Sequence, residues 1–421
     1  MIKSIKSNPL YANSLIFLSA SLIGSIVNYV FHFLMVRMLT PSGYGELQSL
    51  IALLTILGIP LATLTTVVTK YTAVFKAQNF LNKTYLLLKK LSKNLFFLSL
   101  IFLVIFLVLI KPIANFLQID NITPLIILAI GMVITFFASL NNGLLQGLQK
   151  FKDLSLISVI SVFCKLLLAY IFIRLSLAVS GAVAAIVASG IIGYILTFLP
   201  LRFLFKFKNN KNIKLPKKEM LNYSSPVFLT LLFTTLLYNL DIILVKHFFN
   251  PELAGTYAAL ILLGHIVFFA VGPLIGVMFP MTVEAHTLSK NHVIILKKSL
   301  KLAILIGVGL TLFYFLIPDI IIKNIVSSKF LSLAPYLGWF SLAMFFYSLI
   351  FLFAQYLLSI HKTKFVWLLA ACVLCQTIFI SIWHQNLWQI VWIMNSVMSL
   401  GLILLIIYYL KTNRLQITRN L

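Results

Sequence analysis

Long apolar runs recur along the whole of this 421-residue chain and decide which solvent it can fold in. Hydrophobic residues make up 61% of the chain and charged residues 10%, whereas a typical soluble domain holds about 25% charged residues. Twelve runs are close to the ~17–25 residues that a helix needs to cross the bilayer core. We therefore predict an all-α polytopic membrane protein with 12 transmembrane helices. The predicted spans lie near residues 14–38, 45–69, 94–110, 124–147, 154–175, 178–203, 224–249, 255–283, 302–318, 335–359, 365–383 and 388–410.

The positive charges fall mostly in the gaps between these runs. A net charge of +25 would suggest a nucleic-acid partner if the basic residues shared one soluble face. Instead, alternate gaps carry 26 and six Lys or Arg residues, which favours the positive-inside rule. We therefore expect no nucleic acid, and we predict a protein of the cytoplasmic (inner) membrane with both termini cytoplasmic. The basic segment Thr72–Lys93 is predicted to be an interfacial helix.

A Pro-x-x-x-Gly motif occurs twice, at Pro41–Gly45 and at Pro251–Gly255, 210 positions apart. Proline fixes φ and glycine permits left-handed backbone angles, so the pair predicts a tight turn between two helices. Recurrence at half the chain length indicates a duplicated unit. With the basic connector Phe207–Leu221 as the boundary, we predict an N-terminal lobe over 1–213 with spans one to six and the linker, and a C-terminal lobe over 214–421 with spans seven to twelve. Six spans in each lobe make the two repeats parallel, with the substrate path expected between them.

Three segments resemble a known family of transporters: Arg37–Gly45 (RMLTPSGYG), Asn142–Lys150 (NGLLQGLQK) and Asn239–Tyr257 (NLDIILVKHFFNPELAGTY). They are similar to the polysaccharide-exporter branch of the multidrug/oligosaccharidyl-lipid/polysaccharide superfamily, which includes the Wzx-type flippases. The resemblance implies a MATE-like fold of two parallel, pseudo-repeated six-helix lobes. It also implies that the substrate is an undecaprenyl-diphosphate-linked oligosaccharide turned from the inner to the outer leaflet. The expected partners are this lipid-linked oligosaccharide, membrane lipids and, as a further class, glycan-assembly proteins.

Lys165 is the candidate for binding an anionic group within the membrane. It lies eleven residues into span five and nine before Arg174, roughly 14–17 Å of helix from either end. A lysine side chain cannot reach the interface over that distance. Ser158 and Ser161 share its helical face. An alternative is a salt bridge to Asp241 that ties the lobes together.

Polar stripes mark one face of span one and one face of span seven. Asn28 and Tyr238 occupy positions 210 apart in these stripes, and His32 extends the first one. We predict that these three side chains bind substrate, whereas Asp241 is predicted to couple transport to an ion because a buried carboxylate in a span is costly. For the Ser and Thr members, hydrogen bonding between helices is the alternative. The stripes are Ser21, Ser25, Asn28 and His32, and Thr230, Thr234, Tyr238 and Asp241.

Three further residues complete the predicted substrate site. Arg37 and Lys246 end spans one and seven, where snorkelling to the outer interface is the alternative. Gln146 lies on a polar face of span four, and there the alternative is helix–helix contact. No metal is expected, because Cys372-x-x-Cys375 lacks nearby histidines and is interpreted as packing.

Two other functions remain open from the sequence. A multidrug extruder could use the same architecture, but a cation extruder would need an acidic cleft and Lys165 favours an anionic substrate. A membrane glycan polymerase or ligase would need catalytic residues on an outer loop, and neither Lys111–Thr123 nor Asp319–Ala334 offers an acid/base set. The sequence therefore predicts a protein that is not an enzyme. It lacks a Walker motif, so we expect no nucleotide or other cofactor.

Overall fold

The computed structural model describes residues 9–207, 217–288 and 291–417, with the side chains of 9–22, 217–218, 221–223, 287 and 412–417 excepted. These ranges are helical nearly throughout, which confirms the all-α prediction. The helices are α1 (Pro9–Met38), α2 (Pro41–Leu57), α3 (Ile59–Ala77), α4 (Leu81–Phe116), α5 (Thr123–Gly147), α6 (Phe151–Arg174), α7 (Ala178–Leu201), α8 (Lys217–Phe248), α9 (Pro251–Thr287), α10 (Val293–Leu316), α11 (Pro318–Ile321), α12 (Ala334–Ser359), α13 (Val366–Ile382) and α14 (Leu387–Ile417). Shorter helical turns are Arg202–Lys206, Ile322–Val326 and Ser328–Leu333.

The described helices include many that are long and apolar enough to cross a membrane. Nine of them meet that test individually, and α2 with α3, bent by 43°, forms a further candidate span. The shorter apolar helices Ile23–Met38 and Val366–Ile382 are the other apolar segments of this kind in the described residues. The chain is therefore a multi-pass membrane protein, and the number of 12 spans stays a prediction.

By packing, the chain divides into two compact units. The first comprises the chain up to Gly43 and Leu57–Phe228, and the second comprises Tyr44–Ile56 and the chain from Leu229 onward. Within the first unit α1 packs along α6, and α5 packs against α3, α4 and α7. Within the second unit α12 is the central helix and contacts α9, α10 and α14. The lobe boundary predicted at residue 213 lies outside the described residues and stays a prediction.

Both copies of the repeated motif begin a helix in the same way. Pro41 starts α2 and Pro251 starts α9. The Gly43 N–H donates to Thr40 Oγ1 at 3.1 Å, and the Leu253 N–H donates to Asn250 Oδ1 at 2.8 Å. Thr40 and Asn250 are 210 positions apart, as are Gly43 and Leu253. The sequence repeat therefore reproduces the same side-chain cap at each helix start.

The glycines of the motif serve a different purpose from the one predicted. None of the described glycines has a positive φ, and Gly45 and Gly255 lie inside α2 and α9. A Cβ added at Gly45 would lie 2.8 Å from Gly255 N and 2.9 Å from its Cα. The predicted turn between two helices is present, since α1 ends at Met38 and α2 begins at Pro41. It precedes the glycines, which instead let two helices of the second unit approach backbone to backbone.

The predicted interfacial helix is also absent as a separate element. The chain turns at Gln78–Phe80, with Asn79 at φ 59°, and α4 then runs without a break from Leu81 to Phe116. The sequence between Leu81 and Lys111 contains no proline or glycine. Lys83, Lys89, Lys90 and Lys93 therefore lie in the first turns of a long apolar helix, and Lys76 lies in the last turn of α3.

Gly45→Ala should destabilise the protein by about 1–3 kcal/mol, because the new methyl group would meet the backbone of Gly255 rather than a side chain that can move. The measurement is the thermal unfolding midpoint of the detergent-purified protein. Gly309→Ala is the matched control, since nothing lies within 4 Å of a Cβ at that position in α10. Equal midpoints for Gly45→Ala and Gly309→Ala would contradict the close-contact interpretation.

Candidate functional site

Lys165 lies in α6 on the side that packs against α1. Its Nζ donates a hydrogen bond to Asn28 Oδ1 and lies 4.5 Å from the ring centroid of Phe31. Both contacts come from α1 of the same unit, one helical turn apart. The structure thus brings together two of the predicted substrate residues, Lys165 and Asn28, and holds the cation with an amide and an aromatic face.

The neighbours of this lysine show which parts of the predicted stripe share the site. His32 makes an edge contact with Phe31 at 5.2 Å between ring centroids, so it flanks the same cluster. Arg37 is exposed near the end of α1. Ser161 instead faces α7, where a Cβ on Gly193 would come within 2.6 Å of its Oγ. Ser21 lies outside the residues whose side chains are described.

Gln146 lies at the contact between α3 and α5. The Thr69 hydroxyl is 3.3 Å from Gln146 Oε1, and Thr65 donates across the same contact to the Ser139 carbonyl at 3.0 Å. A Cβ on Gly143 would lie 2.9 Å from the Thr65 carbonyl oxygen. This geometry is that of close helix packing joined by hydroxyl groups, which favours the helix-contact alternative for Gln146.

Asp241 is fully buried in α8 of the second unit. The Tyr257 hydroxyl in α9 donates to its Oδ2 at 2.8 Å. Its Oδ1 is buried and has no hydrogen-bond partner among the described residues. Because a buried carboxyl oxygen without a donor is costly, this position can take a proton or a cation at Oδ1.

Tyr238 is the centre of an aromatic cluster in the second unit. Its ring stacks on His265 at 3.9 Å between centroids, and it lies 5.2 Å from Phe268 and 5.3 Å from Tyr347. Phe351 extends the cluster at 5.4 Å from Phe268. Tyr238, Phe268 and Phe351 are partly exposed. A partly exposed aromatic surface of this kind can stack on a sugar ring. Of its members, the polar periodicity of span seven indicated only Tyr238.

Lys246 differs from the expectation of a lysine that snorkels to the interface. Its side chain is 1% exposed, whereas Arg37 at the end of α1 is exposed. The Lys246 ammonium is therefore buried near the end of α8. Whether it also contacts substrate stays a prediction.

Sequence reasoning missed the partners of the predicted residues. Phe31 and Tyr257 are ordinary apolar and aromatic positions by pattern. It also missed a histidine group in the second unit. The ring centroids of His286 and His292 are 5.2 Å apart, and those of His286 and His361 are 6.5 Å apart. Burial and the neighbouring His286 lower the pKa of His292, which lies in the loop before α10. Within the described ranges, no three His, Cys, Asp or Glu side chains are placed to hold a metal ion.

Tyr257→Phe should lower the free energy of unfolding by about 1–3 kcal/mol, because it removes the donor to a buried carboxyl group. In an Asp241→Asn background the same substitution should lower the free energy of unfolding by less, since the hydrogen bond to a neutral amide oxygen is weaker. Thermal unfolding of the two single variants and the double variant measures this difference.

The matched control is Tyr314→Phe, which removes a buried hydroxyl that donates to the Leu263 carbonyl at 2.9 Å. Its cost should be the same with Asp or Asn at position 241. If Tyr257→Phe also costs the same in both backgrounds, the two side chains are not coupled.

Comparison with known proteins adds a family and a fold to this geometry. A family model described as "Polysaccharide biosynthesis protein" matches residues 10–286, more than half of the chain. A search of curated protein sequences finds no significant match.

Solved structures of transporters share the fold. An inward-facing multidrug resistance MATE family transporter of the MOP superfamily aligns with a TM-score of 0.74 and 14% identity, over 95% of this chain and 99% of the other. The lipid II flippase MurJ in an inward closed conformation aligns with a TM-score of 0.71 and 14% identity, over 94% of this chain and 87% of the other. An outward-facing MATE transporter gives a TM-score of 0.65 and 17% identity, over 98% and 96%. The chain therefore has the fold of MOP-superfamily transporters.

Proposed function

Because the chain belongs to the polysaccharide biosynthesis protein family, we propose that it is a secondary transporter of an undecaprenyl-diphosphate-linked oligosaccharide. It turns this lipid from the inner to the outer leaflet of the cytoplasmic membrane by alternating access. Its termini are cytoplasmic, as the asymmetry of Lys and Arg between the gaps predicts.

Lys165 is the observation that carries this proposal. A diphosphate that crosses the hydrocarbon needs a cation on its path, and Lys165 is a cation within a predicted span. Its hydrogen-bond partner is the neutral amide of Asn28. A charge-assisted bond to a phosphate is stronger than a bond to a neutral amide, so the substrate can replace Asn28 as the acceptor.

The aromatic cluster around Tyr238 suits the glycan part of the substrate. Tyr238, Phe268 and Phe351 present partly exposed rings, and Gln355 lies one turn beyond Phe351 on α12 and is also partly exposed. Rings beside an amide offer stacking surface and hydrogen bonds to sugar hydroxyls. We propose that the rings of this cluster stack on sugar rings of the glycan.

A second candidate function follows from Asp241. The MATE structures with the same fold include a multidrug resistance transporter, and a buried carboxyl group can bind a cationic compound or a coupling ion. In our proposal Asp241 takes the coupling ion, and the anionic substrate binds Lys165. An extruder of cationic compounds would place the substrate on Asp241 instead.

Lys165→Ala should reduce export of the lipid-linked glycan by roughly tenfold or more, the effect of losing one charge-assisted hydrogen bond. Lys165→Arg should retain part of the activity, because the charge survives while the geometry changes. The measurement is glycan export in a flippase-null strain, with the amount of membrane-inserted protein determined in parallel.

The control is Lys111→Ala, which removes an exposed lysine near the end of α4 and should leave export unchanged. Export at the normal rate by Lys165→Ala would refute the assigned role of this lysine. Loss of resistance to a cationic drug in Asp241→Asn, with normal glycan export in Lys165→Ala, would favour the extruder.

Asp241→Asn should bind the lipid-linked glycan normally but lose the dependence of transport on a proton or sodium gradient. The amide keeps the shape of the carboxyl group and cannot gain or lose a charge at neutral pH. Transport in proteoliposomes, with and without each gradient, gives the measurement.

An unchanged response to the gradient in the Asp241→Asn protein would show that the carboxyl group is structural. Tyr257→Phe serves as the comparison, because it removes the hydroxyl at Oδ2 but keeps the titratable group. We expect Tyr257→Phe to retain gradient dependence.

A further inference from the structure

A basic cavity opens at one end of the first unit, where α6 begins and α7 ends. Its volume is about 400 Å³, within the range of small-ligand sites. Two cations and one carboxylate share this small space with apolar and aromatic groups. The lining residues are Lys150, Asp153, Leu199, Pro200, Arg202 and Phe203.

Lys150 is held in place at the wall of this cavity. Its Nζ donates to the Pro200 carbonyl at 2.6 Å and lies 4.4 Å from the ring centroid of Phe203. An ammonium group has three N–H donors, so one bond to a carbonyl leaves others for a ligand. Arg202 is exposed at the end of α7 and adds a second fixed positive charge.

An exposed apolar strip continues from the cavity along both helices. On α6, Leu156 lies one turn beyond Asp153 and is 62% exposed. On α7, Ile195 lies one turn before Leu199, and the two are 59% and 64% exposed. Residues spaced by three or four share a helical face, so on each helix exposed apolar side chains follow a residue that lines the cavity. A basic cavity next to exposed apolar side chains fits an amphiphilic ligand with a phosphate headgroup.

We propose that the cavity binds the headgroup of an anionic phospholipid, with an acyl chain along Leu156, Ile195 and Leu199. Lys150 and Arg202 contact the phosphate, and the Asp153 carboxylate accepts a hydrogen bond from a headgroup hydroxyl. Phosphatidylglycerol has this combination of phosphate and hydroxyl groups.

The charge distribution of the chain supports a lipid as the occupant. Lys150 and Arg202 belong to the gaps that carry 26 of the Lys and Arg residues, the side predicted to be cytoplasmic. Basic pockets between spans on that side bind the headgroups of anionic lipids. This site is separate from Lys165 and Asp241, and the inference does not rest on the proposed substrate.

Native mass spectrometry of the full chain in detergent, titrated with phosphatidylglycerol or phosphatidylcholine of equal chain length, tests the site. The unmodified protein should prefer phosphatidylglycerol. Lys150→Gln and Arg202→Gln should each weaken phosphatidylglycerol binding by about fivefold, the effect of about 1 kcal/mol per basic residue near a membrane surface. Asp153→Asn should reduce the preference for phosphatidylglycerol over phosphatidic acid, which lacks the headgroup hydroxyls.

Lys152→Gln and Lys206→Gln are the matched controls. They remove the same charge from exposed positions on the same surface but do not line the cavity, so they should leave binding unchanged. Equal losses in all four lysine and arginine variants would overturn the proposal in favour of diffuse surface charge. Equal binding of both lipids would also overturn it, as would displacement of phosphatidylglycerol by inorganic phosphate or preferential binding of a polyprenyl phosphate.

Discussion

In the second unit, α2 and α9 meet backbone to backbone where Gly45 approaches Gly255. Hydrocarbon offers no hydrophobic force between helices, so contact between backbones becomes a main source of attraction. A Cβ at Gly45 would lie 2.8 Å from Gly255 N, which leaves no room for any side chain. Gly45 comes from the first copy of the sequence repeat and Gly255 from the second. Through this contact the segment Tyr44–Ile56 joins the unit that the later part of the chain builds.

The lack of water in hydrocarbon also determines which hydrogen bonds the polar side chains make. Many hydroxyls donate to a carbonyl of their own helix, as Thr234 does to Thr230 at 2.7 Å and Ser348 does to Met344 at 2.7 Å. Others join two helices, as Tyr347 does when it donates to the Thr234 carbonyl at 3.0 Å. Ser and Thr can therefore be satisfied locally, and their presence in a span says little about a site. Lysine and aspartate cannot be satisfied in this way, so their positions carry more information.

The sequence predicted the fold class well because long apolar runs and a repeat at 210 residues are direct consequences of a duplicated membrane protein. The family match confirms the resemblance to polysaccharide exporters. The partners in the site could not be predicted, because periodicity assigns a residue to a face and not to a neighbour. Phe31 beside Lys165 and Tyr257 beside Asp241 are such partners. The role of Gly45 was missed for the same reason, since a sequence does not show which helix passes close by.

The two charges at the centre of the proposed mechanism share one physical property. Lys165 is bonded to the amide of Asn28, and Asp241 is bonded to the phenol of Tyr257. Both of these partners are neutral. A buried charge paired with an opposite charge is held firmly, because removing the partner leaves an uncompensated charge in low dielectric. A charged side chain that is hydrogen-bonded to a neutral group loses less interaction energy when a ligand replaces that group. In the proposed mechanism each unit therefore holds an ionisable group whose hydrogen-bond partner in this structure is neutral, Asn28 for Lys165 and Tyr257 for Asp241, which leaves the group open to a charged ligand.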